Sequence, residues 1–228
     1  MYELNIANKN YSSWSLRPWL LLRELAIPFE ERLIPFEPGS NWARFRRFAP
    51  NGKVPCLVDG ATVVWDSLAI VEYLAERHPG VWPADPSARA WARCAAAEMH
   101  SGFAALRGHC TMNCALRVRL GPLPDAVARD VARVSELWTD GLARHGGPFL
   151  AGPAFTAADA FYAPVAFRIR SYGLGLADEA LAYASRLLEL PGMLAWDREA
   201  LAEPWRDPEH DEAAVAHGTL IADLRRPA

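Results

Sequence analysis

The sequence predicts two domains of different class, an α/β domain over residues 1–80 and an all-α helical bundle over residues 88–228. The first third of the chain alternates short extended runs with amphipathic runs, whereas the rest shows only helical periodicity. Between them, residues 78–87 contain three prolines and a glycine, which cannot continue a helix and indicate a linker. A chain of 228 residues is also long enough for two hydrophobic cores.

The first domain is predicted to have the element order β-α-β-α-β-β-α. A strand, an amphipathic helix and a second strand after the Ile27-Pro28 turn form a β-α-β unit. A short helical segment follows, and then two strands joined by Asp59-Gly60, a pair typical of hairpins. The predicted ranges are residues 2–7, 15–25, 29–35, 42–48, 54–58, 62–65 and 67–77.

The second domain is predicted from helical spacing with breakers between the segments. Thr156 and Asp159 have the spacing of a capping box, which indicates a helix start and a structural role. The last dozen residues are expected to form a mobile tail. The predicted helices are residues 88–106, 125–145, 157–172, 179–188 and 193–201.

Composition excludes several classes of protein. Hydrophobic residues make up 51% and charged residues 22%, which is typical of a globular chain, and the net charge of −3 argues against nucleic acid as a partner. The apolar run over residues 18–22 is stopped by Arg23 and Glu24 and is too short to cross a membrane, and the N-terminus has no secretory pattern, so a cytoplasmic location is expected.

The four cysteines are too few and too scattered for a disulfide-stapled fold, which agrees with a reducing compartment. Cys110 and Cys114 lie beside His109, but no second pair of ligands completes a tetrahedral site. No metal is therefore expected, and these two thiols are interpreted as buried or partly buried groups near a helix.

The element order, the Val54-Pro55 pair before a hairpin strand and the Asp66-Ser67 pair before a helix resemble the cytosolic glutathione transferase family, over nearly the whole chain. Residues 11–17 are similar to the signature of its zeta class, Ser-Ser-Cys, two further residues and Arg, although Trp14 replaces the cysteine. Residues 97–107 resemble a bacterial branch of the family. The resemblance implies a thioredoxin-like first domain, glutathione as co-substrate and a twofold homodimer.

Two serines are the catalytic candidates. The thiol of glutathione is mostly protonated at neutral pH, while the thiolate is the nucleophile. A hydroxyl at the start of the first helix favours the anion by hydrogen bonding and by the helix dipole. The resemblance assigns the main role to Ser12, with Ser13 as a neighbour able to substitute for it. Tyr11 is a competing donor, and both serines could instead only cap the helix.

Further residues are candidates for holding glutathione. The resemblance implies a cis bond between Val54 and Pro55, which exposes the Val54 backbone to the cysteinyl part of the peptide. Ser67, at a helix N-terminus, can bind the γ-glutamyl carboxylate, and Asp66 can meet the ligand's ammonium. Lys53 could pair with the glycyl carboxylate, although a solvated lysine is the commoner role. Trp42 is a further candidate through its indole N–H.

The electrophile is expected to bind between the domains. Arg107 is a long cation in an Ala-rich and Leu-rich segment, which suggests an acidic substrate group or the glutathione carboxylate. Aromatic and Met side chains at helical spacing are more often core residues, and His100 is more often a packing histidine than a base. The complete set of pocket candidates is His100, Phe103, Arg107, Met112 and Asn113.

The function that these residues favour is transfer of glutathione to a small electrophile. A zeta-like cis-trans isomerase of the maleylacetoacetate type is the nearest alternative, from which the Trp14 replacement departs. A non-catalytic ligand-binding protein on the same fold is the second alternative, because fold alone does not determine function.

Overall fold

The computed structural model describes residues 1–225, and its first domain has the predicted order of elements. Four strands form one sheet in the order β2-β1-β3-β4, with β1 parallel to β2 and antiparallel to β3. The elements are β1 (Tyr2–Ile6), α1 (Ser13–Glu24), β2 (Phe29–Leu33), α2 (Trp42–Phe45), β3 (Cys56–Asp59), β4 (Thr62–Val64) and α3 (Ser67–Ala75).

The turn and helix-capping residues of this domain adopt the local structures that the sequence predicts. Asp59 pairs with Thr62 at the end of the β3–β4 hairpin, and Gly60 between them has a φ of +59°, a conformation that glycine adopts without steric cost. Asp66 precedes α3, and its carboxylate accepts the backbone N–H groups of Leu68 and Ala69. The start of α3 lies next to the second domain, because Asp66 is within 3.3 Å of His100 on α4.

The second domain is mainly helical and is built around one buried helix. The elements are α4 (Pro86–Ser101), α5 (Ala104–His109), β5 (Leu116–Leu120), α6 (Asp125–His145), α7 (Ala157–Tyr172), α8 (Asp178–Leu188), α9 (Pro191–Ala202), α10 (Pro208–Val215) and β6 (Gly218–Asp223). Helix α7 is buried along nearly its whole length and packs against α1, α4 and α8. The capping box is present, because the buried Asp159 carboxylate accepts the Thr156 backbone N–H at 2.8 Å.

Three expectations about this domain need correction. The helix predicted over residues 88–106 is two helices, because the chain turns at Phe103, whose φ is +56°. The domain also contains an antiparallel pair, β5 and β6, which was not predicted. The mobile tail is wrong for Gly218–Asp223, which form β6, while residues 226–228 lie outside the described part. The pairing joins segments about one hundred residues apart, and local periodicity carries no such information.

The two domains share one hydrophobic core. The rings of Trp19 on α1 and Trp196 on α9 pack edge to face with centroids 5.0 Å apart. The buried Lys9 ammonium lies 4.9 Å from the Trp19 ring and pairs with Glu31 and Glu199. The β1–α1 loop is thus anchored from both domains, which positions the residues that follow it.

Within residues 1–225, none of the helices combines the length and apolar character that a membrane span needs.

Candidate active site

A cavity of about 510 Å³ lies between the two domains, beside the start of α1. It is lined from the first domain by the β1–α1 loop and the segment around α2, and from the second by residues near α5, α7 and α10. The predicted site residues that line it are Ser12, Ser13, Lys53, Val54, Arg107 and Met112, together with Tyr11 and Trp42. A larger depression of about 920 Å³ lies over the linker and the start of α4, and its lining includes none of these residues.

Ser12 precedes α1 but does not cap it. Its side chain is buried, and within residues 1–225 the hydroxyl accepts no hydrogen bond from a backbone N–H of the first turn of the helix. Ser12 Oγ instead donates to Ser15 Oγ at 2.7 Å, and Ser15 Oγ also accepts the Ala7 N–H at 3.3 Å. Ser15 was not among the predicted site residues, and its position three residues after Ser12 is the signal that could have identified it. Ser13 is the first residue of α1 and is half-buried.

Tyr11 is engaged by the C-terminal part of the chain. Its hydroxyl oxygen accepts the Asp207 N–H at 3.2 Å and a guanidinium N–H of Arg225 at 3.0 Å. Burial raises the pKa of the phenol, and the ring lies 5.1 Å from the imidazole of His210. The neutral hydroxyl therefore accepts hydrogen bonds from the residue that precedes α10 and from a residue that follows β6. Neither α10 nor β6 was predicted.

A further part of the first-domain wall is formed at the Val54-Pro55 pair, whose peptide bond is cis. Val54 and the exposed Lys53 line the cavity, whereas Pro55 is buried beside them and does not. Gly52 has a φ of +63°, and a Cβ there would lie 2.6 Å from Cδ1 of Trp42. The absence of a side chain at position 52 therefore gives the Trp42 indole its place on this wall.

Asp66 and Ser67 lie outside the lining of the cavity. Ser67 is fully buried, and its hydroxyl has no hydrogen-bond partner among the described residues. Asp66 Oδ2 lies 3.3 Å from Nε2 of His100, whose ring packs edge to face on Trp14. Burial lowers the pKa of His100, while the charge of Asp66 opposes that shift. His100 thus connects Asp66 to Trp14, which does line the cavity.

The remaining second-domain candidates are structural in this arrangement. Phe103 is buried ahead of α5, with its ring against Tyr162. Asn113 is buried: its amide donates to Asp211, and its oxygen accepts the N–H groups of Ala115 and Leu116 at the start of β5. Neither of the two lines the cavity. Their side chains are committed to fixing α5 and β5 in place.

The structure adds residues that the sequence analysis did not assign to the site. Arg168 on α7, Thr111, Phe36 and His210 line the cavity, and Phe36 stacks on His210 with ring centroids 4.9 Å apart. Arg17 lies behind the lining, with its guanidinium carbon 4.0 Å from the centroid of the Trp14 ring. Its place as the arginine of the zeta-like segment was a signal for this residue, whereas the others depend on tertiary packing.

Comparisons with known proteins agree with this architecture. The model of the glutathione S-transferase N-terminal domain matches residues 11–77. Glutathione S-transferase 3 of Zea mays is 30% identical over 156 residues, which are 63% of this chain and 68% of that protein. A probable maleylacetoacetate isomerase of Caenorhabditis elegans is 27% identical over 166 residues, 72% of this chain and 77% of that protein.

The solved structures show the same fold. A glutathione transferase homolog from Burkholderia gl BGR1, crystallised with bound glutathione, superposes with a TM-score of 0.67 and 21% sequence identity. The superposition covers 87% of this chain and 97% of the other. The thioredoxin-like first domain and the helical second domain are shared over almost the entire length. With its helix-start serines, its cis Val54-Pro55 bond and these relatives, the chain belongs to the glutathione S-transferase family.

Proposed function

We propose that this enzyme activates the thiol of glutathione and transfers the peptide to a small electrophile bound between the domains. The observation that carries the proposal is the Ser12 hydroxyl, which lies on the cavity wall at the start of α1 and is not used as a helix cap. A hydroxyl in this place can donate to the thiolate, and the positive end of the α1 dipole favours the anion further. In the reaction the thiol proton leaves to solvent and the sulfur forms a bond to the electrophilic carbon. In a substitution the leaving group departs with the electron pair of its bond to that carbon, and in an addition the π pair moves to the neighbouring atom, which takes a proton from solvent.

Glutathione binding is proposed along the wall of the first domain. The Val54 backbone would pair with the cysteinyl part of the peptide, and the Lys53 ammonium and Trp42 indole would meet the glycyl carboxylate. The γ-glutamyl end would reach Asp66 and Ser67 beyond the cavity. The unpaired Ser67 hydroxyl supports this assignment, because a buried polar atom without a partner is costly unless a ligand satisfies it.

The isomerase remains a second candidate function. In that reaction the thiolate would add to a cis double bond, the bond would rotate, and glutathione would leave unchanged. The relative from Caenorhabditis elegans that is named a probable maleylacetoacetate isomerase favours it. Trp14 argues for a pocket that differs from that of the zeta class, since a bulky indole stands where that class has a small cysteine. The guanidinium groups of Arg17 and Arg107 lie against this indole.

The test is retention on immobilised glutathione followed by a panel of electrophiles that includes maleyl compounds. We expect retention, and turnover with at least one alkylating or conjugating substrate. Turnover of a maleyl compound without net consumption of glutathione would identify the isomerase. Retention without any turnover would instead support a ligand-binding protein.

We propose a cytoplasmic location as well, because the free cysteines suit a reducing compartment where glutathione is available.

A further inference from the structure

Three arginines gather near the cavity, with Arg107 and Arg168 of the second domain in its lining and Arg17 of α1 behind it. The guanidinium of Arg17 lies between two rings, 4.0 Å from the centroid of Trp14 and 5.0 Å from that of Phe161. The guanidinium of Arg107 lies 5.3 Å from the centroid of Trp14. Arg168 is 3% exposed and lines the cavity together with Arg107. Three like charges are thus held close together in a largely buried place.

Within the described residues, this positive charge is only partly compensated. Among residues 1–225, none of the three arginines forms an ion pair with a carboxylate. Two nitrogens of Arg17 and Nε of Arg107 are buried without hydrogen-bond partners in that part of the chain. Arg168 donates to the carbonyl oxygens of Cys110 at 2.7 Å and Pro164 at 3.2 Å, which leaves its charge uncompensated.

The nearest acidic groups are used elsewhere. Asp66 caps α3, and Asp130 accepts the backbone N–H of Leu106 at 2.9 Å. Burial, followed by repulsion from Arg168 and Arg107, lowers the pKa of Arg17 to about 9. A buried cation without a partner is expensive, so a bound anion would stabilise this cluster.

The wall also supplies a hydroxyl donor. Thr111 lies between Arg107 and the start of β5, and it lines the cavity. Its Oγ1 is buried and has no hydrogen-bond partner in the described chain. Guanidinium groups together with a hydroxyl are a donor set suited to a carboxylate, which accepts several hydrogen bonds at once.

We propose that Arg107, Arg168 and Thr111 form a carboxylate subsite for the electrophile, so that the preferred co-substrate is a small organic acid. Arg17 contributes positive potential from behind Trp14. The inference rests on the proposed glutathione transferase function. The subsite is assigned to the electrophile rather than to glutathione, because its residues belong to the second domain, whereas Lys53 and Val54, which are proposed to hold glutathione, belong to the first.

The test is calorimetric binding of matched glutathione conjugates. One pair is S-methylglutathione and S-(carboxymethyl)glutathione, and the other is S-benzylglutathione and S-(4-carboxybenzyl)glutathione, which place the carboxylate at two distances from sulfur. The wild type should bind at least one carboxylated conjugate about tenfold more tightly than its neutral partner, as a charge-assisted hydrogen bond implies. Arg107→Met should abolish that preference while leaving the neutral conjugate unaffected, and Thr111→Val should reduce it severalfold.

Arg119→Met is the matched control, since Arg119 is an exposed arginine on β5 away from the cavity. It should leave the affinity for all four conjugates unchanged. Equal affinity for both members of each pair in the wild type would overturn the subsite. Equal weakening of carboxylated and neutral conjugates by Arg107→Met would also overturn it, because Arg107 would then bind glutathione itself. If neither glutathione nor any conjugate binds, the proposed function fails, and the subsite fails with it.

Discussion

Ser12 Oγ donates to Ser15 Oγ over 2.7 Å, while Ser15 Oγ also accepts the Ala7 N–H at 3.3 Å. Hydroxyl protons rotate freely, so the bond between the two serines can reverse when a thiolate lies beside Ser12. Ser12 would then donate to sulfur, and Ser15 would donate to Ser12. The Ala7 N–H would hold Ser15 in place for this exchange, so under the proposed function Ser15 would be a positioning residue.

Ser12→Ala is expected to lower kcat about a hundredfold with little change in glutathione affinity, because it removes a donor to the reacting sulfur. Ser15→Ala should lower kcat less and raise the pKa of the bound thiol, measured from the pH dependence of thiolate absorbance. Ser15→Thr keeps the hydroxyl and should restore that pKa. Full activity in Ser12→Ala, with loss in Ser13→Ala or Tyr11→Phe, would assign the donor elsewhere.

Ser67→Ala is expected to raise the glutathione KM more than it lowers kcat. The buried hydroxyl is proposed to bind the remote γ-glutamyl carboxylate equally in the ground state and the transition state. Steady-state kinetics with varied glutathione measures the effect, and Ser87→Ala on the exposed start of α4 is the control. An unchanged KM would remove Ser67 from the site.

Gly52→Ala is expected to destabilise the protein by about 1–3 kcal/mol and to weaken glutathione binding. The new Cβ would clash with the Trp42 indole, and the alanine would have to adopt an unfavourable positive φ. Gly60→Ala is a matched control, because its φ is +59° and its Cβ would meet nothing within 4 Å. Urea unfolding and calorimetry separate the two effects. Equal binding by both variants would show that the place of Trp42 does not matter for glutathione.

Glu203 predicts a pH dependence of stability. Burial raises the pKa of its carboxyl from 4.5 to about 7, while the N–H groups of Lys9 and Asn10 oppose the shift. The folded chain therefore holds this proton more tightly than the unfolded chain, and the stabilisation is complete below pH 4.5 and lost as pH rises through about 7.

As the pH rises from 5 to 7.5, the free energy of unfolding in urea should accordingly decrease in the wild type by roughly 2–3 kcal/mol more than in Glu203→Gln. The amide cannot ionise, so the variant should have the flatter profile, although it loses one of the two backbone hydrogen bonds. Glu209→Gln, on the exposed face of α10, should follow the wild type. Identical profiles for wild type and Glu203→Gln would contradict the raised pKa.

The chain is expected to form a twofold homodimer. Ala90, Cys94, Ala97 and Ser101 are small, exposed and share one face of α4, which permits close approach of a second copy, and Trp65 is 42% exposed. Trp91, in contrast, turns toward α6, where its indole N–H donates to Asp140 at 3.1 Å. Sedimentation equilibrium should give twice the 25.2 kDa of one chain, and a mass near 25.2 kDa would contradict the dimer.

Several parts of the molecule were determined by short stretches of sequence. The Asp59-Gly60 hairpin, the Asp66 cap and the Thr156 capping box each depend on residues within a few positions of one another. The hydrogen bonds of such turns and caps depend little on tertiary structure, because their partners are already neighbours in the chain. The same holds for Ser12 at the start of α1, which is why the sequence alone could identify a helix-start hydroxyl.

Tertiary structure decided what surrounds that hydroxyl. Arg17, Arg107 and Arg168 come from three helices, and only tertiary packing places Arg107 and Arg168 in the lining of one cavity with Arg17 behind it. His210 reaches Tyr11 because α10 begins beside the β1–α1 loop, where the Asp207 N–H donates to the Tyr11 hydroxyl. Asn113 and Phe103 were candidates on spacing, but their side chains became buried in contacts with residues distant in sequence. Spacing records which side chains share a helix face, whereas burial and charge depend on which distant segments pack against that face.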